Sequence, residues 1–176
     1  MLVRAARTGD FEAIAAILEP LIRHTAIHFA YQPLSAAELR DAWGRLRETY
    51  PFLVAEAGGE VVGFTKAGPW RERAAYLWTP ECGVYVREDR KRTGVGRVLY
   101  ARLFDILRQQ GFHSVMAGIA LPNDPSVRLH EAFGFVAVGQ VPRAGWKHGR
   151  WHEVGFWQKD LAEAGTAPGE IRPPVY

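Results

Sequence analysis

The chain has 176 residues, of which 48% are hydrophobic and 23% charged, with a formal net charge of +3. That length builds one domain with a proper core and is too short for two comfortable ones, and the composition is that of an ordinary folded chain. The small positive excess gathers in 87–97 and 143–150, which suits anionic ligands rather than a general nucleic-acid surface; the single cysteine, Cys82, excludes an internal disulfide; and no signal peptide or bilayer-length apolar run stands out, so the expected address is the cytoplasm.

Leu2–Ala6 is a plausible first strand, and Thr8-Gly-Asp10 should cap a helix whose Phe11, Ile14, Leu18, Leu21 and Ile22 share one face. Pro20 inside that pattern should kink or split it. Residues 24–34 read as a loop carrying exposed-looking Phe29 and Tyr31. Ser35-Ala-Ala-Glu38 is a capping box opening a second helix. Phe52–Ala57 and Val61–Ala67, joined across Gly58-Gly59, predict a β-hairpin, and Pro69–Arg73 a loop. Ala74–Val86 should return as a longer strand interrupted near Pro80. Val98–Arg108 fits an amphipathic helix with Val98, Leu99, Phe104, Ile106 and Leu107 inward, stopped by Gly111. Ser114–Ala120 is a buried strand, and Asn123-Asp-Pro-Ser126 starts a short helix ending at Gly134. Phe135–Val141 and Glu153–Leu161 form the last strands, separated by an aromatic and basic loop around Trp146–Trp151. One domain over 1–162 is expected, with a Gly/Pro-rich tail over 163–176 that wanders over the surface or a partner. The order β-α-α-β-β-β-α-β-α-β-β describes an α/β (α+β) mixed sheet with helices on both faces.

The rest of the chain makes sense around Glu88-Asp-Arg-Lys-Arg-Thr-Gly-Val-Gly-Arg97, which lies between a strand ending at Val86 and a helix N-terminus. The first helical N–H groups have no intrahelical partner and the dipole is positive there, so the turn is an anion cradle. Gly94 and Gly96 let the backbone approach a phosphate or pyrophosphate without a Cβ in the way. The run has neither the G-x-x-x-x-G-K-[ST] nor the G-x-G-x-x-G pattern, since Leu99 stands where the third glycine would be.

Lys91-Arg-Thr-Gly-Val-Gly96 resembles the Q/R-x-x-G-x-G/A loop of the GNAT acyltransferase superfamily, in which the loop grips the pyrophosphate of acetyl-CoA; Lys91 replaces the usual Gln or Arg. Further runs resemble one branch of it: Tyr50-Pro-Phe-Leu-Val-Ala-Glu56, Ala67-Gly-Pro-Trp70, Val84-Tyr-Val86, Leu121-Pro-Asn-Asp-Pro-Ser-Val-Arg128, His130-Glu-Ala132, Lys147-His-Gly149 and Val154-Gly-Phe-Trp-Gln158. Together they are similar to the phosphinothricin (glufosinate) N-acetyltransferase family, from about residue 2 to 161. The resemblance implies the GNAT fold, a mixed and mostly antiparallel twisted sheet. It also implies an acetyl-CoA-dependent enzyme, a homodimer, that acetylates the α-amino group of a small amino acid such as phosphinothricin, methionine sulfoximine or methionine sulfone. A peptide or protein N-terminus as acceptor, or a non-catalytic CoA-binding domain, are the competing readings.

An amine attacks a thioester only when neutral, so something must take its proton. Glu81 matches the family's glutamate, and His130 stands where many GNAT enzymes place a tyrosine near the departing sulfur. Its role as acid, base or hydrogen-bond donor stays open. The family pattern puts cofactor contacts on Val84, Tyr85, Val86, the loop Arg92, Thr93, Gly94, Val95, Gly96 and Arg97, and on Asn123 and Ser126. Substrate contacts fall on Phe29, Arg71, Arg73, Glu81, Tyr85 and Tyr100, the arginine pair suiting a carboxylate or phosphinate by bidentate hydrogen bonds. Gly83 and Gly118-Ile-Ala120 depart from the herbicide-resistance enzymes where the acceptor should sit. Cys82 has no His or Asp constellation around it and reads as a buried small hydrophobe. The histidines fall into no metal-ligand spacing, so no metal is expected.

Overall fold

Strands and helices alternate in the predicted order in a computed structural model that describes all 176 residues. The elements are β1 (Leu2–Ala5), α1 (Phe11–His24), α2 (Ala36–Leu46), β2 (Phe52–Ala57), β3 (Glu60–Pro69), β4 (Pro80–Val86), α3 (Val95–Gln110), β5 (Ser114–Leu121), α4 (Asp124–Ala132), β6 (Val136–Lys147) and β7 (Arg150–Asp160). One seven-stranded sheet runs β1-β2-β3-β4-β5-β7-β6, antiparallel throughout except between β4 and β5. Those two parallel strands pair only at Glu81↔Met116 and then part. The fold's central gap follows from this.

Each sheet face buries its own apolar cluster. Leu99, Leu103, Phe104 and Leu107 of α3 pack with Leu53, Ala55, Val115 and Ala117. Phe11, Ile14, Leu18 and Ile22 of α1 pack on Phe52, Val54 and Phe64. The period-two alternation of β2 sends its even residues to α1 and its odd ones to α3. Helices therefore cover both faces, and α1 with α2 leave room over the β3–β4 end.

Several local expectations are corrected. Pro20 does not break α1, which is continuous through it. Pro20 and Ala16, whose carbonyl loses its partner, are both exposed, so water serves the freed oxygen. Asp10 does not cap α1 with its side chain; it takes a bidentate bond from Arg4 at 2.8 Å and the Arg7 amide at 2.7 Å. Val98 is exposed, while Val95 and Tyr100 point inward instead. Residues Ala74–Tyr76 form a 3₁₀ turn, and the strand starts only at Pro80. The aromatic stretch 146–151 is not a loop but the end of a long β6–β7 hairpin. Its two-residue turn has His148 at φ 50° and Gly149 at φ 73°, the left-handed pair that matches the strands' twist.

The tail keeps a fixed path across the domain rather than wandering. Gly169 O accepts the Trp78 indole N–H at 2.7 Å, Gln110 and Arg172 exchange two bonds, and Ile171 packs on the core. No helix is long and apolar enough to cross a membrane, and no group of three His, Cys, Asp or Glu side chains could hold a metal ion.

Candidate active site

The predicted anion cradle forms at the start of α3. The first bond within the helix runs from Val98 N–H to Gly94 O at 3.1 Å, so the amides of Val95, Gly96 and Arg97 have no helical partner. Gly94 sits at φ 89°, where a side chain is strained although a Cβ would meet nothing within 4 Å. The turn itself thus requires the glycine, whatever a bound ligand adds. Gly96 is different: a Cβ there would come to 3.2 Å from Leu129 of α4. Arg92 also adopts a positive φ of 60°, Thr93 Oγ1 donates to Arg90 O at 2.7 Å, and Lys91 pairs with Glu88. These contacts hold the turn open toward solvent.

Beyond the cradle, the parting of β4 from β5 makes a slot of about 50 Å³, walled by Val84, Tyr85, Tyr100, Asn123, Ser126 and His130. Arg87 N–H bonds Val62 O, so the odd residues of β4 face β3. The amides and carbonyls of Val84 and Val86 therefore turn into the slot, free to pair with an extended amide chain. Asn123 caps α4, its Oδ1 accepting the Ser126 N–H at 3.4 Å, and its amide donors remain for a ligand. Cradle and slot in sequence suit a pyrophosphate followed by a pantetheine arm.

His130 and Tyr100 form one buried unit on the slot wall. His130 Nδ1 lies 2.7 Å from Ser126 O and so carries the proton, while Nε2 accepts the Tyr100 hydroxyl at 2.8 Å. Burial pushes the imidazole below its ordinary pKa, against the Ser126 carbonyl, so it is neutral near pH 7. Cys82 Sγ lies 3.7 Å from the same hydroxyl, and burial pushes its thiol up to about 12. Cys82 is therefore inert, as its surroundings in sequence suggested.

A second, larger cavity of about 390 Å³ lies under α1 and α2, walled by apolar side chains including Leu18, Leu39, Trp43 and Phe64. Glu81, Lys66 and His28 also line it. The two cavities share Cys82, Gly83, Tyr85 and Gly118, so they meet where β4 and β5 part. Glu81, Gly83 and Tyr85 point to the larger cavity, and Cys82 and Val84 to the α3 side. Burial raises the Glu81 carboxyl above the usual range; the Gly118 amide, Lys66 and Arg71 pull it back only in part. A Cβ on Gly118 would stand 3.1 Å from Glu81 Oε1, so the missing side chain leaves that carboxylate room. Tyr85 stacks on Phe64 at 5.0 Å, and burial raises its hydroxyl to about 12, so it is a neutral wall.

Four sequence-expected substrate residues lie outside the cavity lining. Tyr100 is fully buried and belongs to the slot, not to the acceptor cavity. Phe29 packs over Gly145 and sits 6.1 Å from the His152 ring, anchoring the 25–34 segment rather than lining the cavity. Lys147 pins the same segment, donating to Ile22, Thr25 and His28 carbonyls at 2.6, 2.9 and 2.7 Å. Arg71 and Arg73 are exposed and line a separate shallow hollow beside Trp70 and Tyr76. Arg71 stacks on Trp70 at 5.1 Å, and its charge reaches Glu81 through space.

Two cavity residues escaped the sequence reading. His28 lies 6.3 Å from the Tyr85 ring, and burial, with Lys66 and Lys147, holds its pKa down. Lys66 interrupts an otherwise apolar strand, Val61–Ala67, and that interruption was the available signal.

Comparison with known proteins agrees with this geometry. The family model described as an acetyltransferase (GNAT) domain matches residues 3–154. The chain is 46% identical over 171 residues to phosphinothricin N-acetyltransferase of Streptomyces viridochromogenes, covering 97% of this chain and 93% of that one. It is 37% identical to the L-methionine sulfoximine/L-methionine sulfone acetyltransferase of Pseudomonas aeruginosa, covering 94% and 98%. Among solved structures, a GNAT superfamily phosphinothricin acetyltransferase from Sinorhizobium meliloti in complex with acetyl-CoA superposes with a TM-score of 0.92. That pair shares 30% identity over 96% of this chain and 93% of that one.

Proposed function

The chain belongs to the GNAT acetyltransferase family, and on that premise we propose how its two cavities carry the reaction. It is an acetyl-CoA-dependent N-acetyltransferase whose acceptor is the α-amino group of a small amino acid of the phosphinothricin or methionine sulfoximine kind. When bound, acetyl-CoA supplies the acetyl thioester. The amides of Val95, Gly96 and Arg97 would hold its pyrophosphate, flanked by Arg92 and Thr93, and Val84, Val86 and Asn123 would orient the arm along the slot, whose wall Tyr85 and Ser126 complete.

The observation that carries the reading is the position of Glu81, on the acceptor side of the gap where slot and cavity meet. With its pKa raised by burial, Glu81 is a stronger base than a solvated carboxylate and takes the proton from the acceptor's ammonium group. The Tyr100–His130 pair stands on the other side and holds a proton at the Tyr100 hydroxyl for the departing sulfur. Attack is direct. The only cysteine, Cys82, keeps its proton at neutral pH and offers no nucleophile.

The acceptor's α-carboxylate faces outward to Arg71 and Arg73, whose loop adjoins the Glu81 end of the cavity. A peptide has no carboxylate there, and an apolar cavity of about 390 Å³ suits a whole small molecule. The protein acts as a homodimer, a reading supported by the apolar side chains that the edge hairpin β6–β7 leaves exposed at Val136, Val138, Val141, Trp146 and Trp151. A thiol-release assay with acetyl-CoA tests the reading. Turnover is expected with phosphinothricin, methionine sulfoximine and methionine sulfone, and none with short peptides; the reverse pattern would transfer the activity to peptide N-termini.

A further inference from the structure

Within the acceptor cavity, Lys66 makes no hydrogen bond and no ion pair with any group of the protein, although it sits among apolar walls. Two other cations drawn into the fold are satisfied by the protein, Lys147 by three carbonyls and Arg4 by Asp10 and Glu56. Glu81, the one carboxylate on the cavity wall, lies beyond ion-pair distance of Lys66. The cavity walls crowd Lys66 and lower its pKa, the Glu81 charge raising it only in part, yet the residue stays exposed to the open cavity, so its ammonium is hydrated and can exchange that water for an anion. It is the one lysine or arginine on the cavity wall, and so the group there able to give an anion a charge-assisted hydrogen bond.

The strand register says which part of the acceptor meets it. Gly68 pairs with Glu81, and Lys66 pairs with Gly83, both on the cavity face. Lys66 is therefore two residues further from the Arg71–Arg73 loop than the position opposite Glu81, roughly 6.8 Å along the strand. An amino acid with its amine at Glu81 and its carboxylate toward that loop directs its side chain the other way. A side chain with two methylenes before its terminal group reaches Lys66.

We propose that Lys66 is the specificity-determining residue of the acceptor cavity and selects amino acids whose side chain ends in an anion, a phosphinate or carboxylate, over those ending in a neutral group such as a sulfone. This rests on the amino-acid acetyltransferase reading above and adds to it which acceptor is preferred.

The test is a ratio of kcat/KM, phosphinothricin over methionine sulfone, measured on the same sample for wild type, Lys66→Gln, Lys66→Met and Lys66→Arg. The neutral acceptor serves as internal control for folding and for Glu81. Loss of a charge-assisted hydrogen bond to a ligand lowers affinity roughly ten- to a hundredfold. The expected result is a fall of that size in the ratio for Lys66→Gln and Lys66→Met, with Lys66→Arg close to wild type. An unchanged ratio, because both acceptors lose equally or neither does, overturns the proposal and assigns Lys66 to tuning Glu81. Wild-type protein inactive on every amino acid would overturn the acetyltransferase reading itself.

Discussion

The cofactor slot and the acceptor cavity meet at Gly83 and Gly118, beside Glu81, but are made of different material. The slot is mostly backbone: three free amides at the start of α3 and the unpaired edge of β4, with Tyr85, Asn123, Ser126 and the Tyr100–His130 pair adding side-chain polarity. The cavity is side chains, gathered from α1, the 25–34 segment, α2, β2, β3 and β4. Backbone recognition needs a shape that many sequences can make and a ligand that does not vary. Side-chain recognition can be retuned one residue at a time, as suits a cavity whose ligand differs between relatives.

Substitutions should respect that division. Glu81→Gln lies on the cavity side of the junction and has the largest expected effect. General-base removal lowers kcat by roughly 10²–10⁴-fold near neutral pH, while acetyl-CoA affinity, measured by calorimetry, stays at the wild-type level. Since the Glu81 pKa is raised, the wild-type rate falls as pH drops through it and the carboxylate takes up a proton. The variant recovers part of its loss at high pH, where the free amine is already neutral. A Glu81→Gln rate equal to wild type across pH would end this role.

Arg73→Ala comes next. Its loss should raise the acceptor KM roughly ten- to a hundredfold for phosphinothricin and methionine sulfone alike, because both carry the α-carboxylate, and should leave acetyl-CoA titrations unchanged. Equal KM values with and without Arg73 would leave the exposed pair as a solvated basic loop.

On the slot side effects are smaller and indifferent to the acceptor. Gly94→Val places a side chain at φ 89°, costing about 1–2 kcal/mol of backbone strain, or roughly tenfold in acetyl-CoA affinity. The turn is exposed and the added Cβ meets nothing, so the free loop relaxes from that φ, the cost falls on binding, and the melting temperature should barely move. Lys91→Ala should weaken acetyl-CoA less than Gly94→Val does, since Lys91 is paired with Glu88 and the cradle is made of amides.

The same division explains what was legible in the sequence. Strand, turn and helix of the slot are contiguous between residues 80 and 110, so a motif with a physical reason located them. Asn123 and His130 fell into place because one short helix carries both. The element order was also readable, since long periodic segments report their own type. The cavity was not readable in that way. Lys66 looks like an ordinary polar residue on a hairpin until the register sets it opposite Gly83 and beside Glu81. His28 lies in a segment whose course depends on Lys147, more than a hundred residues away. Phe29 and Tyr100 carried the right chemistry but face a hairpin and a buried histidine. The hairpin at 146–151 reads as a loop in the sequence because its aromatic residues mask a two-residue turn.

The most direct measurement is a crystal structure of the protein with CoA and phosphinothricin together. The expected complex has the acceptor's nitrogen at hydrogen-bond distance from the Glu81 carboxylate and facing the CoA sulfur through the Gly83–Gly118 gap. Its carboxylate lies toward Arg71 and Arg73, and its phosphinate within ion-pair distance of Lys66. An acceptor bound the other way round, phosphinate on the arginine loop and nitrogen away from Glu81, would contradict it.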